Sequence, residues 1–239
     1  MLNSIVAALN TVDLSYINTK SSTYHNSEGQ KVPRVTEILS TMIHSDALMY
    51  WANSLGFKGI KYKTALNSAA NIGTEAHNAI ERFLIDKFKT MDNVPFLGFL
   101  MWYNLVTQER HIPIEVIYIE HPLSCQWFGG TLDGLLRIGN KIYLVDFKTS
   151  NHVTYKYFLQ LAAYRYMLRV MEGIVVDGVI VLQLDKDEPG FNEYLLDFTN
   201  INDLEFINQC EATFLSLVCG FYNINKAEMM YKTIFFTQR

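Results

Sequence analysis

The sequence predicts an α/β fold: a helical layer, then a core of alternating strands crossed by one helix. Apolar residues recur at helical spacing up to about residue 110. The texture then changes to alternating runs rich in β-branched and aromatic residues. One helix-like segment splits those runs in the order β-β-β-α-β(-β), and a final helix follows. At 239 residues, 49% of them apolar, the chain is long enough to bury the core of one domain. We read 1–239 as that domain, with 1–110 mainly helical, 111–200 the α/β core and 201–239 C-terminal helices.

The first sixty residues contain an extended stretch, "STYHNSEGQKVPRVT", with turn chemistry from Asn26 to Gly29 and a helix from Glu37. Ser45 or Asp46 caps a second helix, "ALMYWANSL", that ends near Gly56. From Thr64 to Lys87, Ile72, Ala76, Ile80, Phe83 and Leu84 repeat at helical spacing. Another helix covers Phe96 to Gln108. "IPIEVIYIEHPLS" (112–124) alternates as a strand does. "WFGGTLDGLLRIGNKIYLVDFKTS" (127–150) holds two strands joined by Gly139-Asn140, a pair suited to a two-residue hairpin turn. The helix "YKYFLQLAAYRYMLRVM" follows, then the strands "GVIVLQL" and "FNEYLLDF", and a last helix from Asp203 to Leu217.

A formal charge of −4 and a pI near 5.9 exclude coating of nucleic acid by bulk charge, though not a local basic groove. Cys125, Cys210 and Cys219 show no C-x-x-C spacing and leave one over from any pairing, as thiols of a reducing compartment do. "MLNSIVAALNTVDLS" lacks the basic flank and long apolar run of a secretory signal. Asp177 interrupts "GIVVDGVIVLQL", the best candidate for a span, which falls well short of about 20 residues. These features predict a soluble cytoplasmic protein with no membrane partner.

The chemistry concentrates in "LVDFKTS" (144–150). Strand alternation points Asp146 and Lys148 to one face and Val145 and Phe147 to the other. Asp133 lies before the Gly139-Asn140 turn, and the hairpin brings it near Asp146 to within a residue or two of register. Neighbouring carboxylates repel unless a proton or cation separates them. Mg²⁺ takes such hard oxygen ligands, and a lysine on the same face supplies positive charge where phosphoryl oxygens gain negative charge. The competing reading is a surface ion pair on an edge strand, worth little to stability.

"GGTLDG" (129–134), "VDFKTS" (145–150) and "QLAAY" (160–164) stand in the order and spacing of the motifs of the PD-(D/E)XK nuclease superfamily, and the chain most resembles its RecB-type branch. "VPRVTEIL" (32–39) and "GTEAH" (73–77) look like that branch's N-terminal features. The length is similar to that of stand-alone phage exonucleases and the mitochondrial genome maintenance exonuclease. The resemblance spans about residues 32 to 185.

It implies a restriction-endonuclease-like core, with a central mixed sheet flanked by helices behind the N-terminal helical layer. Asp133 and Asp146 would be metal-binding carboxylates, the Phe147 carbonyl a further ligand, and Lys148 the cation that positions water and phosphate. Glu120 would help build the site. Glu115 lies in the same run, where one residue of slippage flips the facing side. His77 would reach the metal from the helical layer. It shares a helical face with Glu81, and Gly73 permits close packing one turn earlier. Gln160 and Tyr164 share a face of their helix, where they would orient the catalytic strand or contact DNA.

Arg165 and Arg169, one position round that helix, would grip phosphate or form a solvated face. Arg34, Lys156, Tyr155 and Tyr157 are weaker candidates for DNA contact. Gly130 and Gly134 would mark close approach of another backbone, or merely weaken their strand. The implied cofactor is one or two Mg²⁺ or Mn²⁺ ions. The four-cysteine iron–sulphur cluster of some relatives is not expected of a chain with three cysteines. The implied activity is metal-dependent exonuclease action on single-stranded or frayed DNA ends in replication, recombination or repair. The alternatives are a structure-selective endonuclease of the same fold and a non-catalytic DNA-binding module.

Overall fold

Gly139 turns the chain with a left-handed φ of +64°, and the sheet is laid out from that turn. It joins β2 (Gly129–Ile138) to β3 (Lys141–Lys148), which pair antiparallel from Ile138↔Lys141 to Gly134↔Val145. β1 (Ile114–Ser124) lies antiparallel to β2 on its other side. β4 (Gly178–Leu184) runs parallel to β3, and β5 (Phe191–Asp197) closes the sheet antiparallel to β4. The order is β1-β2-β3-β4-β5. A parallel neighbour cannot be reached by a tight turn, so the helix α6 (Tyr155–Met167) bridges β3 and β4. β3 is therefore central, which removes the edge-strand reading of Asp146 and Lys148.

The computed structural model describes residues 2–16, 22–44 and 46–236. The N-terminal part is helical: α1 (Leu2–Leu9), α2 (Val35–Met42), α3 (Asp46–Phe57), α4 (Tyr62–Asp86) and α5 (Val94–Asn104). The helix α2 starts two residues before Glu37, whose carboxylate reaches back to accept the Arg34 N–H at 3.4 Å. The expected Ser45 cap lies outside the described residues, and Asp46 is the first residue of α3. At α5 the Asn93 side chain accepts the Phe96 N–H at 2.9 Å, which satisfies one donor that a helix start leaves open. Both α5 and α6 end in one π-turn, at Leu105–Glu109 and Leu168–Glu172.

Strand alternation sorts the core into two layers. Leu135, Leu144, Val179 and Val181 face α6 and the long helix α7 (Ile201–Phe236), against which α1 and α2 also pack. Leu136, Val145, Phe147, Ile180 and Leu182 face α4 and α5, where Phe83, Phe96, Phe99 and Trp102 fill the space. Each large side chain so buried contributes about 1.5–3 kcal/mol. The β4–β5 turn is seated on α5 by an approach that only glycine allows. A Cβ on Gly98 would stand 2.3 Å from the Gly190 carbonyl oxygen. Among the described residues no helix is long and apolar enough to cross a membrane.

Candidate metal centre

The register sets three carboxylates in a row. Glu120 falls between the pairs Ile119↔Gly134 and His121↔Leu132, opposite Asp133. One step beyond Gly134↔Val145 sets Asp133 opposite Asp146. A register shift between Val116 and Tyr118 moves β1 by one residue, and Glu120 itself takes a left-handed φ of +45°. That distortion sets Glu120, rather than Ile119, opposite Asp133, while Glu115 lies four residues along β2, opposite Arg137, exposed and paired with it at 3.2 Å.

His77 reaches the row from α4. Its Nδ1 lies 3.0 Å from Glu120 Oε1 and its Nε2 lies 3.0 Å from the Phe147 carbonyl oxygen. Asp133 Oδ2 is 3.8 Å from the same Nε2. Both close partners are acceptors, an arrangement that favours a proton on each ring nitrogen. Burial alone would lower the His77 pKa, but the Glu120 hydrogen bond and the Asp133 charge outweigh it and push it up to about 9.

On β3, Lys148 donates to Asp146 Oδ1 at 2.6 Å, and its Nζ is 3.9 Å from Asp133 Oδ2. Burial pushes the Asp146 carboxyl upward against the pull of that ammonium. Burial works to lower Lys148, and the two carboxylates more than reverse it. Asp133 Oδ2 also accepts the Phe147 N–H at 2.8 Å.

These groups fit a hard divalent cation. Ligand atoms of His77, Glu120 and Asp133 lie within 4.8 Å of one another, a spacing that one ion can bridge. Asp146 is 1% exposed, and its Oδ2 has no hydrogen-bond partner. A buried carboxylate oxygen left without a donor is costly; Asp146 stands outside the three-residue group and is joined to it through Lys148, which reaches both Asp146 and Asp133. The carboxylates suit a hard divalent cation, and the imidazole suits softer ones as well.

The face of α6 toward the site carries Tyr157, Gln160 and Tyr164. The Lys148 ammonium lies 5.3 Å from the Tyr157 ring centroid, a contact that the aromatic-rich sequence does not single out. Gln160 donates to the Tyr164 hydroxyl at 3.5 Å, and burial together with the Asp133 and Asp146 charges raises the Tyr164 pKa. What approaches Gly130 is the Tyr164 ring, not a backbone: a Cβ there would stand 2.7 Å from Tyr164 Cε1. Gly134 meets the Phe147 ring at an ordinary 3.7 Å.

Other candidates sit elsewhere. Arg165 and Arg169 both turn to Glu211 on α7, at 2.9 and 3.2 Å from its Oε2, with Arg169 also 2.6 Å from Oε1. The pair neutralises a carboxylate whose side chain is 2% exposed, while Arg169 itself keeps about a third of its side chain in solvent. Lys156 donates to the Ile43 and His44 carbonyls, tying α6 to the end of α2. Arg34 precedes α2, bridged to Gly129 four residues along β2 from Asp133. Tyr155 is exposed.

One hollow adjoins the centre and a second lies past the end of β3. A groove of about 460 Å³ follows α4 past Gly73, His77, Glu81 and Glu120. A crevice of about 500 Å³ opens beyond Lys148, lined by Thr149, Ser150, Gln183, Asn192 and Tyr194 among others.

No family model matches the chain, and no curated protein matches it in sequence. Among solved structures, SSO0001 aligns at 12% identity over 88% of this chain and 83% of that one, with a TM-score of 0.35. LHK-Exo, in complex with dAMP, aligns at 11% identity over 84% of this chain and 94% of that one, with a TM-score of 0.37. Both scores fall below 0.5, and the functional reading rests on the geometry of the site itself.

Proposed function

We propose that this chain is a single-domain, divalent-metal-dependent deoxyribonuclease of the RecB-type branch of the PD-(D/E)XK superfamily. It acts as an exonuclease on single-stranded or frayed DNA ends, in replication, recombination or repair. One observation carries this reading: ligand atoms of His77, Glu120 and Asp133 cluster beside the Lys148 ammonium, which is held by Asp146, whose Oδ2 is buried and unpartnered. An ion pair meant only for stability would satisfy both carboxylate oxygens.

Glu120, Asp133, Asp146 and the Phe147 carbonyl would hold Mg²⁺ or Mn²⁺, and His77 would join them on giving up a ring proton, since only the neutral imidazole ligates. When bound, such an ion lowers the pKa of water and offsets charge on a phosphoryl group. The protein groups do the positioning. The Phe147 N–H fixes the Asp133 carboxylate, and His77 holds Glu120 and the Phe147 carbonyl in place. Lys148, braced by Asp146 and the Tyr157 ring, presents positive charge where the phosphoryl oxygens become more negative. Such a preorganised charge is worth most in a site sheltered from water.

The test is end-labelled single- and double-stranded DNA with Mg²⁺, Mn²⁺ or EDTA, with products sized on a gel. Metal-dependent shortening of linear strands, with circular single strands left intact, is the expected result. Cleavage of circles would make the protein an endonuclease. DNA binding with no metal-dependent cleavage would make it a binding module.

A further inference from the structure

Residues 47–74 contain no aspartate or glutamate in a chain of net charge −4, yet they hold Lys58, Lys61 and Lys63 with Tyr50, Trp51, Phe57 and Tyr62. This stretch is α3 after its first residue, Asp46, with a short turn and the first half of α4. The turn is built on Gly59, φ +70°, with the Lys58 and Ile60 N–H groups both donating to the Leu55 carbonyl. The helix α3 packs on α4, and Trp51 meets Tyr62 edge-on at 5.5 Å between ring centroids. Buried residues of α4 begin only at Ala76, so its preceding turns stand clear of the core. On this projecting hairpin Tyr50 is 75% and Phe57 91% exposed. Among the described residues none of the three lysines is in an ion pair.

Large exposed aromatics cost solubility unless something covers them. The surrounding charge points to a polyanion, and α4 runs from the hairpin straight to His77. We infer that α3 and the first half of α4 form an arm that binds single-stranded nucleic acid and leads its end to the metal centre. The aromatic rings stack on bases, whose faces are free only in a single strand, and the lysines follow the phosphates. This inference rests on the nuclease reading for what happens at the end of the arm, but not for the binding itself. From Tyr62 to His77 the helix rises about 22 Å, the span of about six stacked nucleotides at roughly 3.4 Å each.

The experiment measures fluorescence anisotropy of labelled oligothymidylates, 4 to 20 nucleotides long, in EDTA at two salt concentrations. It compares the parent with Lys58→Glu/Lys61→Glu/Lys63→Glu and with Tyr50→Ala/Phe57→Ala, each checked for parental circular dichroism. Parent affinity should rise with length to about six to eight nucleotides and then level off. Both variants should bind at least about tenfold more weakly, and the lysine variant should show a shallower salt dependence.

Hydrolysis of bis(p-nitrophenyl) phosphate with Mn²⁺, a substrate too small to reach the arm, should be the same in all three proteins. Failure of the parent to hydrolyse it would count against the nuclease reading and leave the binding result to judge the arm. The arm is overturned if both variants bind the oligonucleotides like the parent. It is overturned equally if they lose only co-sedimentation with anionic vesicles, which would make the hairpin a membrane-surface element.

Discussion

Asp133 on β2 accepts the backbone N–H of Phe147 on β3 at 2.8 Å. The residue between Asp146 and Lys148 is thereby locked to the neighbouring acidic strand. This bond separates structure from chemistry at one position. Asp133→Asn keeps an acceptor for the N–H but loses the charge, so it should unfold at a urea concentration close to the parent's while DNA cleavage falls by about a hundredfold or more. Asp133→Ala leaves the N–H without its partner and should cost about 1–3 kcal/mol in the same unfolding measurement.

A metal held by Asp133 and Asp146 would lie beside the Lys148 ammonium, so removing that cation should separate binding from turnover. Lys148→Ala should bind Mn²⁺ at least as tightly as the parent, because its ammonium no longer competes for Asp146 and Asp133. Its single-turnover cleavage rate should drop by about 10²–10³. Mn²⁺ titration and rapid-quench kinetics on one preparation check both halves.

Glu211 is the shared anion of Arg165 and Arg169. Truncating one member of a buried pair is worse than lacking the pair, because the partner charge stays buried alone. Glu211→Ala should therefore destabilise the protein by about 3–5 kcal/mol in urea. Arg169→Ala should cost less, since Arg165 still neutralises Glu211. Specific activity per folded molecule should change in neither.

Asp197 ends β5 and takes a hydrogen bond from Lys141 at 2.5 Å, with further donors from Thr199. The Lys141 bond, followed by the Thr199 donors, lowers its pKa to about 2. A depressed carboxylate stabilises the fold above its unfolded pKa and loses that contribution as pH falls through the folded value. The window here is about pH 4 down to pH 2. Asp197→Asn should be less stable than the parent near neutrality, by under about 1 kcal/mol for so solvated a pair. The two urea midpoints should converge as pH approaches 2.

Much of this was legible in the sequence where a local signal had a matching structural cause. Gly139-Asn140 marked the hairpin, and alternation on either side placed Asp133, Asp146 and Lys148 on one face. The choice between Glu115 and Glu120 was not legible, because a bulge carries no composition of its own. The long helix α7 was expected to stop at Leu217 but continues to Phe236. Its buried positions end at Tyr222, so the later turns have no core periodicity to betray them. The eight residues of α1 were read only as too short for a signal, since their burial depends on α7, far away in sequence. Arg165 and Arg169 were assigned outward because their partner Glu211 lies more than forty positions on. Whole-chain charge hid the acid-free run from 47 to 74, which a windowed count would have found.

The central claim is that the acidic row traps a divalent cation beside Lys148, and Mn²⁺ binding tests it without any DNA. Titration of the parent and of Asp146→Asn, followed by the loss of free-ion electron paramagnetic resonance signal, should show saturable binding by the parent. The variant should bind at least about tenfold more weakly. A parent that leaves Mn²⁺ free in solution, or a folded Asp146→Asn protein that binds it equally well, would contradict the account.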